Sequence, residues 1–301
     1  MPEILKNADE IINNLRESFL KKYGFTVFNV RSKKLKKTTG VILCGECLTH
    51  KQLNLLKKKM HLTFSDDLLH YDVKVLSDKN MLNSITTSAN ALKGIVNVTS
   101  DFFGEKLASQ ITPADGYFKV VLKEESRSLI LLDDYTLGWV DNNVIQFYKD
   151  DLTTGFEGFQ VSEKDKVLLL DSIDPIFDEA FKYVNRVKYL HGGKSFDGID
   201  CSALMQLVFK NGGNIILPRH SLDQMKCGMR LAKADINNGA LVFARNNLNK
   251  VLHVGLAFYE NENMIIHSCL RAKLVIAESI DDFFKYYTFA GARRIVTEIH
   301  P

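Results

Sequence analysis

The stretch Gly198-Ile199-Asp200-Cys201-Ser202-Ala203-Leu204-Met205-Gln206 places a cysteine where an extended segment turns into a helix. The run after it has helical spacing: Leu204, Leu207 and Val208 share one apolar stripe, and Gly212-Gly213 closes it. A thiol in the first turn of a helix meets unpaired backbone N–H groups and the positive end of the dipole. Both favour thiolate over thiol. Cys201 is therefore a candidate nucleophile, and a buried packing cysteine is the competing reading.

A nucleophilic cysteine needs a base, and the base needs an orienting group. Residues 251–258 read as a strand with Leu252, Val254, Leu256 and Phe258 on its core face. His253 lies on the other face with the small residues Gly255 and Ala257. A polar turn follows, and a second strand carries Ile265-Ile266-His267. A hairpin centred on Glu260 makes His253 and His267 direct cross-strand neighbours, and a shift of the centre by one residue makes them diagonal. The set supplies a base, His253, and an orienter, His267.

Taken together, these residues resemble the NlpC/p60 family of cysteine peptidases, papain-like enzymes that act on cell-wall peptides. Six blocks carry the resemblance: 189–206, 217–224 (LPRHSLDQ), 239–243 (GALVF), 253–258 (HVGLAF), 265–268 (IIHS) and 291–295 (GARRI). The resemblance implies that Cys201 is the nucleophile, His253 the general base and His267 the third residue. It assigns Tyr189 to the oxyanion hole. The chain departs from the family pattern at Ala203, where relatives have Gly, at His191, where they have Trp, and at Ala240, where an acid is common. None of the three removes a presumed catalytic atom.

The expected fold class is α+β, in four parts. Residues 1–90 read as a small α/β segment: a helix, a strand near Phe25 to Val30, a strand ending at Leu43, a helix near His50 to Met60 and a strand near His70 to Leu76. Residues 91–150 read as short strands, and two pieces resemble a bacterial SH3-like barrel: its loop at 104–110 and its closing strand at 134–140. Trp139, the single tryptophan, reads as core. Residues 151–173 read as a linker and 174–301 as the catalytic domain.

In relatives that cleave after γ-D-glutamate, the SH3-like part closes one end of the cleft and a free N-terminal L-alanine is required. By position this implies Glu105 and Tyr135 from the barrel, with Asp200, Ser202 and Ser221 from the catalytic part, as substrate-binding residues. An ammonium in a partly closed cleft needs carboxylate partners. For Asp200 a helix N-cap role is compatible with binding.

The remaining composition narrows the partners. A formal net charge of +3, with 39 basic and 36 acidic residues, leaves no strong nucleic-acid footprint. No apolar run is long enough to span a membrane. The start, MPEILKNADEIINNL, is amphipathic and acidic rather than signal-like, so a cytoplasmic location is expected. Five cysteines argue against a complete disulfide framework. Cys44-Gly45-Glu46-Cys47 follows an apolar run and precedes a helical stretch, the local setting of a redox pair, without a second pair for a closed zinc site. The expected partner is a peptidoglycan-derived peptide, L-Ala-γ-D-Glu-diamino acid, and no cofactor is implied. Two other readings stay open: an impaired cell-wall peptide-binding protein, and a papain-like amidase or acyltransferase on a non-wall substrate.

Overall fold

Three sheets of three or more strands follow one another along the chain, each against its own apolar cluster. The computed structural model describes residues 2–23, 27–35, 40–78, 85–149, 159–160, 167–246 and 252–298. Phe25 and most of the expected linker lie outside them.

The first unit opens with the helix Pro2–Tyr23, whose Ala8, Ile12, Leu15 and Phe19 recur at helical spacing and are all buried. They pack on a sheet ordered Arg31–Lys34, Val41–Cys47, Leu69–Val75. The last two strands are parallel and joined through the helix His50–His61. Thr49 and Gln52 form a capping box that starts this helix. Of the strand expected near Phe25 to Val30, the described residues 27–30 hold an isolated bridge from Phe28 to Cys47, and a strand follows at Arg31–Lys34. The Cys44/Cys47 stretch also differs from a redox turn. Both residues continue the strand, and their thiols point at different carbonyls, Arg31 and Thr49. Burial pushes the Cys47 thiol up to about 11, the opposite of an activated thiol.

The second unit is a seven-stranded antiparallel sheet in the order Ile145–Tyr148, Ser88–Ala91, Tyr117–Lys123, Arg127–Leu131, Leu137–Asp141, Val96–Thr99, Leu107–Ile111. It bends at register shifts between Val98 and Thr99 and between Val120 and Leu122. Among the described residues its two edge strands do not pair with each other, so the expected barrel is an open sheet. Residues 104–110, expected as a loop, are half strand. Ser109 and Gln110 disguise it in the sequence: they are polar yet buried, because they face the next unit. Trp139 is core, edge-on to Phe102 and clustered with Val27 and Leu76 of the first unit.

The third unit lays the helix Cys201–Gly213 on a six-stranded antiparallel sheet. The order is Met229–Leu231, Tyr287–Arg294, Ala240–Asn246, Leu252–Tyr259, Asn263–Cys269, Leu274–Ser279. Every residue from Ser202 to Phe209 is buried, so the helix is core on all sides. It runs through the paired glycines and stops at Asn214, which adopts the left-handed conformation (φ 50°). Gly212 lets the neighbouring helix Asp174–Phe181 approach closely: a Cβ there would sit 2.6 Å from the Ile176 Cα. No described helix is long and apolar enough to cross a membrane.

Candidate active site

Asp200 caps the cysteine helix, its Oδ1 accepting the Ala203 N–H at 2.8 Å. Cys201 is thus the first helical residue, half-buried, with the Val254 N–H directed at its sulfur. Ser268 Oγ donates to the Ile199 carbonyl at 2.7 Å, which ties the strand of His267 to the segment that precedes the cysteine.

The strand pairs run from Leu256↔Ile266 to Tyr259↔Asn263, so the hairpin is centred on Asn261 rather than Glu260. Continuing that register puts His253 and His267 on a diagonal. Their rings still meet, with His253 Nε2 2.7 Å from His267 Nδ1. His267 Nε2 in turn lies 2.9 Å from Glu278 Oε1, and Arg271 Nη2 donates to Glu278 Oε2 at 2.8 Å. His253 stacks on Tyr287 at 4.9 Å between ring centroids, and Phe283 packs edge-on against His267. Glu278, Arg271, Phe283 and Tyr287 were not among the residues expected from the sequence. One signal was available for Glu278: it is an acid within an otherwise apolar strand pattern, directly after the strand of His267.

The hydrogen bonds order the protons. An ionised Glu278 only accepts, so His267 Nε2 carries hydrogen and its Nδ1 is bare. His267 Nδ1 then accepts from His253 Nε2–H, and the remaining nitrogen of His253, Nδ1, is left unprotonated. Burial acts to raise the Glu278 carboxyl, but its bonds from His267 and Arg271 outweigh that and hold it below the usual range.

The expected lowering of the thiol is reversed. Burial and then the Asp200 carboxylate push Cys201 up to about 12, against the Val254 and Ser202 N–H groups and the Arg219 charge. The helix end favours thiolate, but the residue that caps it is itself an anion. Burial, and then His267, push His253 well below the imidazole range. Burial therefore favours the neutral form of the thiol and of the imidazole alike. The Tyr189 phenol, raised to about 12 by burial and by Cys201 and Asp200, lies within electrostatic reach of both.

Asp200 does more than cap. Arg219 holds it with two bonds, Nη2 to Oδ2 at 2.7 Å and Nη1 to Oδ1 at 3.0 Å. The Gly192 N–H, the Ala203 N–H and the Ser202 hydroxyl also donate to it. A carboxylate offers about four lone-pair sites, so these donors saturate it. Asp200 is not the open acceptor for a substrate ammonium that was expected. Ser202, which also accepts from Arg219 Nη1, is buried in the same cluster. Burial would raise the Asp200 carboxyl, but the Arg219 charge and these bonds keep it below the usual range.

This cluster crosses into the second unit. Arg219, only 2% exposed, donates through Nε to Ser109 Oγ at 2.9 Å, and its backbone N–H donates to the Asp134 carbonyl. Lys194, 3% exposed, bridges Asp115 Oδ1 at 2.9 Å and Asp134 Oδ2 at 3.3 Å, and its N–H donates to Gln110. Gly192 (φ +78°) brings its backbone against the Leu107 carbonyl; a Cβ there would sit 2.6 Å from that oxygen. The loops of Glu105 and Tyr135 thus flank this seam. Glu105 is exposed in a turn closed by Asp101, and Tyr135 is 56% exposed at a positive φ of 64°. Ser221 opens the short helix Ser221–Gln224 just after Arg219. The three departures from the family pattern are accommodated: Ala203 and Ala240 are fully buried, and His191 is exposed.

A cavity of about 830 Å³ lies at the other end of the His253 strand, lined by Phe177, Phe258, Tyr259 and Arg294 among others. None of the candidate residues lines it, and it holds no nucleophile–base pair.

Cys201, His253 and His267 all fall within the stretch that known proteins match. The NlpC/P60 family model matches residues 186–294. A "Probable endopeptidase NlpC homolog" of Haemophilus influenzae is 30% identical over 164 residues, 54% of this chain and 82% of that protein. A "Gamma-D-glutamyl-L-lysine dipeptidyl-peptidase" of Bacillus subtilis is 32% identical over 112 residues, 36% of this chain and 37% of that protein. A solved NlpC/P60 family protein from Bacillus cereus aligns over 89% of this chain and 79% of its own, at 18% identity and a TM-score of 0.37. With a relative covered over most of its length at that identity, the chain belongs to the NlpC/P60 family.

Proposed function

We propose that this protein is a cysteine endopeptidase of peptidoglycan peptides that cleaves the γ-D-Glu–diamino acid bond through a thioester. The observation that carries the reading is the 2.7 Å contact between His253 Nε2 and His267 Nδ1. It leaves His253 Nδ1 as a base on the residue whose neighbour, Val254, points its N–H at the Cys201 sulfur.

With the neutral form of both groups favoured, His253 removes the thiol proton as Cys201 Sγ bonds to the γ-carbonyl carbon. The proton then passes from His253 to the departing amine as the C–N bond breaks. Water attacks the thioester and gives a proton to His253; the C–S bond then breaks, and His253 returns that proton to the sulfur to restore the thiol. The backbone N–H of Cys201 and the Tyr189 hydroxyl are the donors suited to the oxyanion. Because Asp200 and Ser202 are held within the protein, recognition of a free L-Ala amine falls to Glu105, with Tyr135 and Ser221 as neighbours. A free-amine requirement suits cytoplasmic recycling of released wall peptides and spares intact murein, whose L-Ala is capped. The γ-D-glutamyl specificity named for the Bacillus subtilis relative is in line with this substrate.

The test is mass spectrometry of L-Ala-γ-D-Glu-meso-diaminopimelate incubated with wild-type protein and with Cys201→Ala. Release of L-Ala-γ-D-Glu by the wild type alone is expected. Peptide that is bound but uncleaved by the wild type would instead make the protein a binder. Equal cleavage of a lactyl-capped peptide would remove the free-amine requirement.

A further inference from the structure

We infer that Glu278, steadied by Arg271, is a positioning residue that fixes the proton arrangement of the two histidines. The inference rests on the peptidase reading for its kinetic consequence and on geometry alone for its structural one. His267 is fully buried, and among the described residues its Nε2 meets the Glu278 carboxylate at 2.9 Å. Glu278 is itself fixed from the far side. Arg271 donates to its second oxygen at 2.8 Å, and the guanidinium carbon lies 4.0 Å from the centre of the Tyr286 ring. The strand pairing places Glu278 opposite Ile265, one diagonal step from His267.

A histidine that orients another histidine has a weakness that an Asn or Asp does not. Its two nitrogens can exchange roles, and if His267 carried hydrogen on Nδ1, His253 would have to turn its bare Nε2 toward it. The hydrogen of His253 would then sit on Nδ1, the nitrogen needed as base. An anion that accepts at His267 Nε2 removes that alternative. The carboxylate also stabilises the cation that forms on the pair when His253 takes the thiol proton, in the way a buried acid supports the base of a hydrolase triad. Glu278 touches neither substrate nor nucleophile, so its effect runs through His267.

The experiment combines ring-nitrogen NMR of ¹⁵N-histidine-labelled protein with steady-state kinetics for wild type, Glu278→Gln and Glu278→Ala. In the wild type both His253 and His267 should carry hydrogen on Nε2. In Glu278→Ala the His267 signals should move to a mixture of tautomers, and kcat should fall at least about tenfold with KM within about twofold. Glu278→Gln keeps an acceptor oxygen without the charge, so it should restore the tautomer in large part and lie between the two in kcat. A wild-type His267 protonated on Nδ1 would overturn the inference. So would a folded Glu278→Ala protein with unchanged tautomers or a kcat within twofold of wild type. If the wild type cleaves no wall peptide, the peptidase reading fails while the tautomer result still decides the role of Glu278.

Discussion

Two polar clusters flank Cys201, and they are built on opposite plans. On the helix side Asp200, Arg219, Lys194 and Asp134 are charged and buried, Asp115 nearly so, and all are paired with one another. On the sheet side the chain of contacts runs from His253 through His267 and outward through Glu278 to Arg271, which is 41% exposed. The first cluster has few proton acceptors left and nowhere to send a charge. The second has one bare nitrogen at its inner end and a solvated cation at its outer end. Buried charge that is fully paired holds shape; a histidine pair backed by one anion can take up a proton and release it. The difference predicts that changes on the helix side act first on stability and changes on the sheet side act first on rate.

The largest effect that would sharpen this contrast is expected from Asp200→Ala. It strands the Arg219 guanidinium in a dry site and removes the helix cap, so a stability loss of about 3–5 kcal/mol is expected in urea unfolding. A loss below about 1 kcal/mol would mean that water reaches Arg219 and that the cluster is not a brace.

The next effect is acid sensitivity. Burial would raise the Asp134 carboxyl, but Lys194 and the Thr136 and Gln206 bonds bring it down to about 2. A group lowered in the folded state contributes its full stability above its unfolded value of about 3.9, and loses it as the pH falls through the folded value. Asp134 should therefore supply about 2 kcal/mol that disappears between about pH 4 and pH 2. Lys194→Met should be less stable than wild type at neutral pH, and the gap should narrow on acidification, because protonation relieves the stranded carboxylates. A gap independent of pH would remove Lys194 as the partner.

The smallest stability effect is expected from Glu105→Gln, an exposed change that should stay within about 0.5 kcal/mol. Its consequence should be on KM for a peptide with a free amine, and an unchanged KM would take Glu105 out of substrate recognition.

How legible each cluster was in the sequence follows from the range of the contacts. The cysteine, its helix and the two histidines were readable because each is announced by local periodicity, and the hairpin joining the histidines is a short-range object. Even there the sequence left two registers open, and the structure takes the one centred on Asn261 rather than Glu260, since a polar turn of that length accepts either. Glu278 was one strand too far for the hairpin argument, and Phe283 and Tyr287 come from the elements after it. The helix-side cluster was not legible, for another reason. Ser109, Gln110, Asp115 and Asp134 look like solvated loop chemistry, and only the packing of one sheet against the next makes them interior. The same burial reversed the expected shift of Cys201, because helix position alone does not count the anion that caps the helix.

The seam at Gly192, Lys194 and Arg219 bears on how freely such a chain can be cut and recombined. Its sheets divide cleanly along the sequence, as interchangeable parts would. Its counterions do not: the acids that neutralise Lys194 belong to the preceding unit, and Arg219 leans on Ser109 and the Asp134 carbonyl of that unit as well as on its own Asp200. A catalytic fragment released from its predecessor would carry an orphaned interior lysine and an arginine short of partners. Grafting it onto a different partner would succeed only where the new neighbour presents acids to Lys194 and hydrogen-bond acceptors to Arg219.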